Sequence, residues 1–334
     1  MEHSEPAAGV AAAPVTGESR IGALDFTRGI AVMGILAANI IAFGQPFSAY
    51  MYPAAFLTDP GDDAGWLWIT QFVLIDGKMR GLFTLLFGAG MYLFMESAWA
   101  RGSTRWLQAR RLVWLLLFGL FHFFFIWRGD ILTYYALLGF VALLCLRWAA
   151  KTQLVVGLLG YGVGALLYAA MLGPLPFVAE TDLGKQAAFS EMRQSLLDEQ
   201  EKVLAEDATD SELTIAGDYI GLTAHRFRQH GTEQLTNLLL FGFETLPLML
   251  LGMALFRYRF FSGPLPRQRM VMWGWAGVVV GGLLHLLIGL WVQATGFSYY
   301  GTLAAFVGFS PLPRLMMVLG LAALLVVWAP AATG

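Results

Sequence analysis

The sequence predicts an all-α fold: a polytopic membrane bundle of about eight transmembrane helices with an acidic, amphipathic extracytoplasmic segment. Three observations predict it. Hydrophobic residues make up 57% of the 334 and charged residues only 13%, a composition for lipid rather than water. Runs of about 16 to 22 residues recur with almost no charge, long enough to cross a bilayer as helices. They are continuous rather than alternating, which excludes a β-barrel. Third, the short loops 99–111, 147–152 and 257–270 hold ten Lys/Arg between them, which places those loops and the N-terminus in the cytoplasm.

In chain order, residues 1–19 are polar, rich in alanine and proline, and lack a basic start, so they read as a disordered cytoplasmic tail rather than a signal peptide. A membrane domain follows in two parts, 20–177 and 236–334. Its first span is 26–44, closed by Gln45-Pro46, and an outer loop over 46–65 carries Pro53, Pro60, Asp59, Asp62 and Asp63. The apolar piece Trp66–Ile75 is too short to cross and meets Asp76-Gly77-Lys78-Met79-Arg80, so 66–80 reads as an interfacial or re-entrant piece feeding a span at 81–98. Spans at 112–127, 131–146 and 153–172 come next. Residues 178–235 hold twelve of the 23 acids against five Lys/Arg, with Phe189, Met192, Leu196 and Val203 at helical spacing. They read as an amphipathic helix lying over the bundle. Spans resume at 236–256, 271–293 and 314–329, with a mixed stretch 294–313 dipping into the interface. The glycine pairs Gly160/Gly164 and Gly277/Gly281 indicate close helix packing.

The net charge of −2 and the lack of a basic patch exclude nucleic acid as a partner. Cys145 is the single cysteine, which rules out an internal disulfide, a zinc cluster and a redox pair; no metal is expected. The bilayer is the first partner, and a homodimer is compatible with the sequence.

The first span opens on charge. Asp25 and Arg28 are one helical turn apart and can pair. Asn39 shares their face roughly 16 Å further along, where a buried amide needs a partner or a water-filled cavity. With the topology above, Asn39, His122, Glu244 and His285 all fall roughly 7 to 13 Å below the outer surface. Four helices each placing a costly group in one layer suggest a polar cavity open to the outside, with histidine as general base. Burial favours neutral histidine and a protonated or paired Glu244. The alternative is a pair of core histidines satisfied by hydroxyl or backbone partners, with Asn39 holding helices together. At the inner mouth Arg20, Arg28, Arg101, Arg105, Arg110 and Arg111 gather. Arg101 and Arg105 suit lipid phosphate, whereas Arg28, inside the helix beside Asp25, suits a bound phosphate or nucleotide.

Arg20…Leu24-Asp25…Arg28-Gly29-Ile30-Ala31…Gly34-Ile35…Asn39 resembles the opening of the YeiB family of bacterial inner-membrane proteins. Three further blocks agree: Asp76 to Gly90, Gly119-Leu120-Phe121-His122 with Gly129-Asp130-Ile131-Leu132-Thr133-Tyr134-Tyr135-Ala136, and Leu250-Leu251-Gly252-Met253-Ala254-Leu255. The Leu-Asp…Arg-Gly start is shared with other membrane acyltransferases, including heparan-α-glucosaminide N-acetyltransferase. The resemblance implies acyl transfer across the membrane from cytoplasmic acyl-CoA, acetyl-CoA above all, to an extracytoplasmic glycan or lipid-linked sugar. The donor would lie along the first helix from Asp25 and Arg28 to Asn39, its phosphates held by Arg28, Arg110 and Arg111. His122 and Asp130 would serve the outer chemistry, with His285 and Glu244 in the same layer. Two departures follow. Residues 45–80 contain no histidine where the acetyltransferase relatives carry the reactive one, and the family's Gly-Arg-Met-Ala block is absent, so part of its usual membrane domain is expected to be missing. A transporter or channel for a small polar solute, using a continuous polar path from Arg28 to His285, and a non-catalytic scaffold recruiting a partner through the acidic segment are the alternatives.

Overall fold

The computed structural model describes residues 21–58, 61, 63–263 and 265–330. The tail 1–19, Arg20 and the loop residues Asp59, Pro60 and Asp62 lie outside them. Helix α1 (Gly22–Gly44) begins with Asp25 in its first turn, where a carboxylate complements the helix dipole. It stops at Gln45, whose extended backbone leads into Pro46 and two short turns, Phe47–Tyr50 and Pro53–Ala55. Helix α2 (Ala64–Leu74) and helix α3 (Lys78–Ala100) are joined through Gly77 in the left-handed region, φ 71°. Helix α4 (Trp106–Phe121) widens into a π turn over His122–Ile126, where the Trp127 N–H reaches back five residues to the His122 carbonyl. Helices α5 (Leu132–Cys145) and α6 (Ala150–Leu172) follow.

The acidic segment comprises α7 (Leu175–Glu180), α8 (Ser190–Ile215) and α9 (Tyr219–Gln229). Helix α10 (Glu233–Arg257) carries Pro247 internally, and α11 (Arg267–Ala294), α12 (Tyr299–Leu303) and α13 (Pro311–Trp328) complete the bundle. No strand occurs among the described residues.

Among the described residues, seven segments are long and apolar enough to cross a membrane; α2 and α3 count together as one of them. The eighth expected span, α5, has fourteen residues, or about 21 Å. It packs between α4 and α10, where Tyr134, Tyr135, Ala142 and Leu146 are buried. Helices α3, α10 and α13 form the centre, whereas α1, α4, α6 and α11 turn apolar faces outward, as Met33, Leu36 and Ile40 do on α1. Where α3 crosses α10, Gly88 lies against the Met249 carbonyl and Gly252 against the Leu85 carbonyl, contact that any side chain would prevent. Gly164 meets Phe243, and Gly277 and Gly281 meet α13, as the glycine spacing indicates.

Residues 66–80 follow the re-entrant alternative: Trp68, Ile69 and Phe72 pack α2 into the bundle, and Asp76 and Lys78 are 3% and 0% exposed. The left-handed turn at Gly77 folds the charged motif inward, where its own opposite charges and hydrogen bonds replace water. In 294–313, a second π turn over Ala304–Phe309 packs inward against α6 rather than lying at the interface. On α8 the apolar stripe is only partly used. Met192 is exposed, and the buried residue is Asp207, which accepts from the Ser48 N–H at 2.6 Å and so docks the helix by charge.

Candidate functional site

The centre of the site is an ion cluster made by three helices. Glu244, three residues before Pro247 on α10, places its Oε2 2.8 Å from Arg80 Nη2 of α3 and 2.8 Å from Arg314 Nη1 of α13. Arg314 also donates from Nη2 to the Phe306 carbonyl at 2.6 Å, and Arg80 lies 5.0 Å from the Phe241 ring centroid. The Tyr161 hydroxyl donates to the Pro311 carbonyl at 3.0 Å and lies 3.4 Å from Glu244 Oε1. Glu244 is therefore a paired carboxylate with both neighbours cationic, the second of the two resting states expected for it. Beside it, Gly77 admits the Arg314 guanidinium where a Cβ would stand. Asp76 Oδ1 accepts from Tyr50 Oη and Gln71 Nε2, each at 3.3 Å, while Lys78 donates to the Phe72 carbonyl. Burial, followed by the neighbouring Asp76 charge, holds the Tyr50 phenol well above its ordinary pKa, so it stays a neutral donor.

This cluster forms part of the wall of a cavity of about 250 Å³ that Asn39, Trp127, Arg128, Asp130 and Tyr134 also line. Asp130, 4% exposed, accepts the Thr133 N–H at the start of α5 through Oδ2 at 2.9 Å and meets His122 Nδ1 through Oδ1 at 3.1 Å. The π turn that starts at His122 and the short 127–131 link fold the imidazole back onto the carboxylate eight residues later. A carboxylate on Nδ1 orients a histidine for proton transfer at its other nitrogen. Arg128 links the cavity wall to the acidic segment, 2.7 Å from Glu233 and 3.3 Å from Asp207.

A second cavity, of about 400 Å³, opens at the other end of α1 and α3 and is lined by Arg28, Gln108, Arg111, Phe83, Phe87 and Phe94. Arg28 pairs with Asp25 at 3.2 Å, and Arg111 covers the Phe94 ring at 4.1 Å. Tyr135 lines neither cavity but touches residues of both walls. Its hydroxyl meets Thr84 Oγ1 and lies 3.3 Å from the Arg80 carbonyl, and its ring contacts Phe83 and Phe87 at 5.8 and 5.6 Å.

The structure thus brings Asn39, Glu244 and Asp130 to one cavity with His122 behind Asp130, and joins Arg28 to Arg111 at the other. Arg28 and Asn39 line different cavities. Arg110 is exposed and lines neither of them. His285 is likewise in neither: fully buried on α11, it holds the Gly281 carbonyl 2.9 Å from Nδ1 and packs edge-on against Phe72 at 5.4 Å. Depth along a helix does not fix the direction a residue faces, and α11 turns His285 toward α2. The functional residues missing from the sequence argument are Arg80 and Arg314. Their signal was present, since an intramembrane Glu244 demands a cation and Arg314 stands at the start of the last apolar span.

The chain is 41% identical over 152 residues to YeiB of Escherichia coli (strain K12), a match covering 46% of this chain and 36% of that protein. It is 43% identical over 147 residues to YxaH of Bacillus subtilis (strain 168), covering 42% and 36%. These matches support membership of a YeiB-like family over the aligned segments. A 39.9 kDa protein from the amylase 3' region of Bacillus acidopullulyticus is 30% identical over 166 residues, covering 49% of this chain and 45% of that one. The matched segments thus span less than half the length of each relative. Neither a family model nor a solved structure matches the chain. None of the three relatives' names carries an activity, so the chemistry of this YeiB-like chain has to be argued from its site.

Proposed function

We propose that this YeiB-like protein transfers an acyl group, acetyl in the simplest case, from acyl-CoA to a hydroxyl or amine of a sugar or lipid-linked acceptor across the bacterial inner membrane. The observation that carries the proposal is the pair of cavities toward opposite ends of α1 and α3, one lined by Arg28, Gln108 and Arg111 and the other by Asn39, Arg80 and Glu244. The positive-inside rule puts the Arg28/Arg111 cavity and the N-terminus in the cytoplasm. There two guanidiniums and the Gln108 amide suit the phosphates of a CoA. The cavity of Asn39, Arg80 and Glu244 then faces outward, with the His122–Asp130 pair beside it.

The chemistry assigned to the site is as follows. His122 takes the proton of the acceptor hydroxyl while the oxygen attacks the thioester carbon. The new C–O bond forms, the C–S bond breaks, and the proton passes to the departing CoA thiolate. Asp130, buried behind Nδ1, stabilises the imidazolium formed on the way. Arg80 and Arg314, whose charge exceeds that of Glu244 by one, supply positive potential for the developing oxyanion. The thioester reaches the acceptor only if the Phe83/Tyr135 packing opens. A solute path from Arg28 to His285 gains no support, since His285 lines neither cavity.

The test is acetyl transfer from radiolabelled acetyl-CoA into a membrane glycan fraction by protein in liposomes. His122→Ala is expected to lose about 10²- to 10⁴-fold in rate, and Asp130→Asn a similar amount, with CoA binding kept. Undiminished transfer in His122→Ala would remove the histidine from the mechanism. Failure of the wild-type protein to bind CoA or acetyl-CoA would end the proposal.

A further inference from the structure

The acidic segment holds a second cluster that acyl transfer does not use. Asp210 on α8, His225 on α9 and His230, the residue that closes α9, turn their side chains toward one another, with the ligating atoms of all three within 4.8 Å of each other. His225 Nε2 lies 3.6 Å from Asp210 Oδ1, and His230 Nε2 lies 3.8 Å from Asp210 Oδ2. Both separations are too long for a hydrogen bond. His225 Nε2, His230 Nε2 and Asp210 Oδ1 are each buried without a hydrogen-bond partner, and His230 is only 3% exposed. Three buried polar atoms that face one another and bond to nothing are costly unless something sits among them.

The surroundings have the form of a metal site. Glu233 Oε2 is 3.2 Å from His230 Nδ1. That contact makes Nδ1 the protonated nitrogen and leaves the Nε2 lone pair facing Asp210, the arrangement in which a carboxylate orients a metal-bound histidine. Glu233 is itself fixed by Arg128 at 2.7 Å, and Arg128 Nη1 stands 3.8 Å from Asp210 Oδ2. Tetrahedral zinc with bonds of about 2.0–2.2 Å needs ligand atoms about 3.3–3.6 Å apart; the two histidine–Asp210 separations of 3.6 and 3.8 Å are close to that, and the remaining separation, within 4.8 Å, must shorten on binding. The sequence argument against a metal rested on the single cysteine, and a histidine–carboxylate site needs none. His225 and His230 have the four-residue separation common among zinc ligands.

We propose that Asp210, His225 and His230 bind a divalent cation, zinc by its two imidazoles and one carboxylate, and that it pins α8 to α9 beside the cavity mouth. Asp207 and Asp210 sit one turn apart on α8, and Arg128 and Glu233 line the cavity. The ion would therefore set how firmly the acidic segment covers it.

The test uses the full chain, purified without a polyhistidine tag, stripped with chelator and titrated with zinc chloride. One zinc per chain at micromolar affinity or better is expected, with a rise in melting temperature on binding. Cobalt(II) should give the visible bands of a tetrahedral nitrogen/oxygen site. His225→Ala and His230→Ala should each weaken zinc at least tenfold. Asp210→Asn should do the same while leaving far-UV circular dichroism and elution volume as in the wild type. His122→Ala, which removes a histidine elsewhere, should bind zinc normally. Absence of saturable zinc in the wild type, or equal affinity in all four variants, would overturn the site.

Discussion

The two cavities are built on opposite principles. Around Glu244, charges sit in the centre of the bundle, one carboxylate held between two guanidiniums at 2.8 Å each, on three different helices. Around Arg28, the charges stand at a rim: Arg28 and Asp25 are 41% and 38% exposed and belong to one helix turn. Desolvation explains the contrast. A charge cut off from water costs several kcal/mol unless fully partnered, so the first site must be over-determined. A charge near headgroups keeps its water and stays free to exchange partners. The first cavity is thus a structural commitment that three helices make together, whereas the second keeps its charges where the fold does not depend on them.

The comparison breaks most visibly at Glu244. Glu244→Ala leaves Arg80 and Arg314 facing each other in a dry wall and should cost about 3–5 kcal/mol, read as unfolding in detergent–SDS mixtures. Removing all three charges together, with Arg80→Met, Glu244→Leu and Arg314→Met, should recover most of that loss, because no uncompensated charge remains. A loss below about 1 kcal/mol for Glu244→Ala would mean that water reaches the cluster and that the two cavities differ less than their burial indicates.

The next effect sharpens the comparison through two glycines. Gly77 and Gly102 both have left-handed backbones, φ 71° and 74°. A Cβ at Gly102 meets nothing within 4 Å, whereas one at Gly77 overlaps the Arg314 guanidinium. Gly102→Ala should cost only the left-handed penalty, about 1–2 kcal/mol. Gly77→Ala should cost that plus the displacement of Arg314 from Glu244. Equal losses in the two melting curves would show that Arg314 moves aside freely.

Much of this was legible in the sequence, and the limits have physical reasons. Continuous apolar runs located the spanning helices, though not all of their ends: α4 starts at Trp106, six residues before the expected 112. Glu244 and Asn39 were found by the cost of burying them, and both line the cavity. His285 shows where that argument stops, because cost identifies a buried group without identifying its neighbour. Arg80 was hidden for a different reason. An arginine beside Asp76 and Lys78 reads as an end charge of a helix in solvent, and only the turn at Gly77 sends it inward. The pairing of Asp130 with His122 needed the π turn, for which the sequence offers no periodic signal.

The smallest expected change in stability, and the one most specific to function, is at Arg28. Its bond to Asp25 is an exposed pair within one turn, worth about 0–1 kcal/mol, so Arg28→Ala should melt within a degree or two of the wild type. If the cavity it lines holds CoA phosphates, the same variant should weaken acetyl-CoA binding by about tenfold, the scale of one lost charge-assisted contact. Arg110→Ala, on the same helix turn as Arg111 but outside the cavity, should weaken it little. Added salt separates specific from diffuse attraction, since the Arg28 contribution should fall as the screening length shrinks toward 3 Å near 1 M. Equal affinity in wild type, Arg28→Ala and Arg110→Ala would place the donor elsewhere and leave the rim arginines to lipid phosphate.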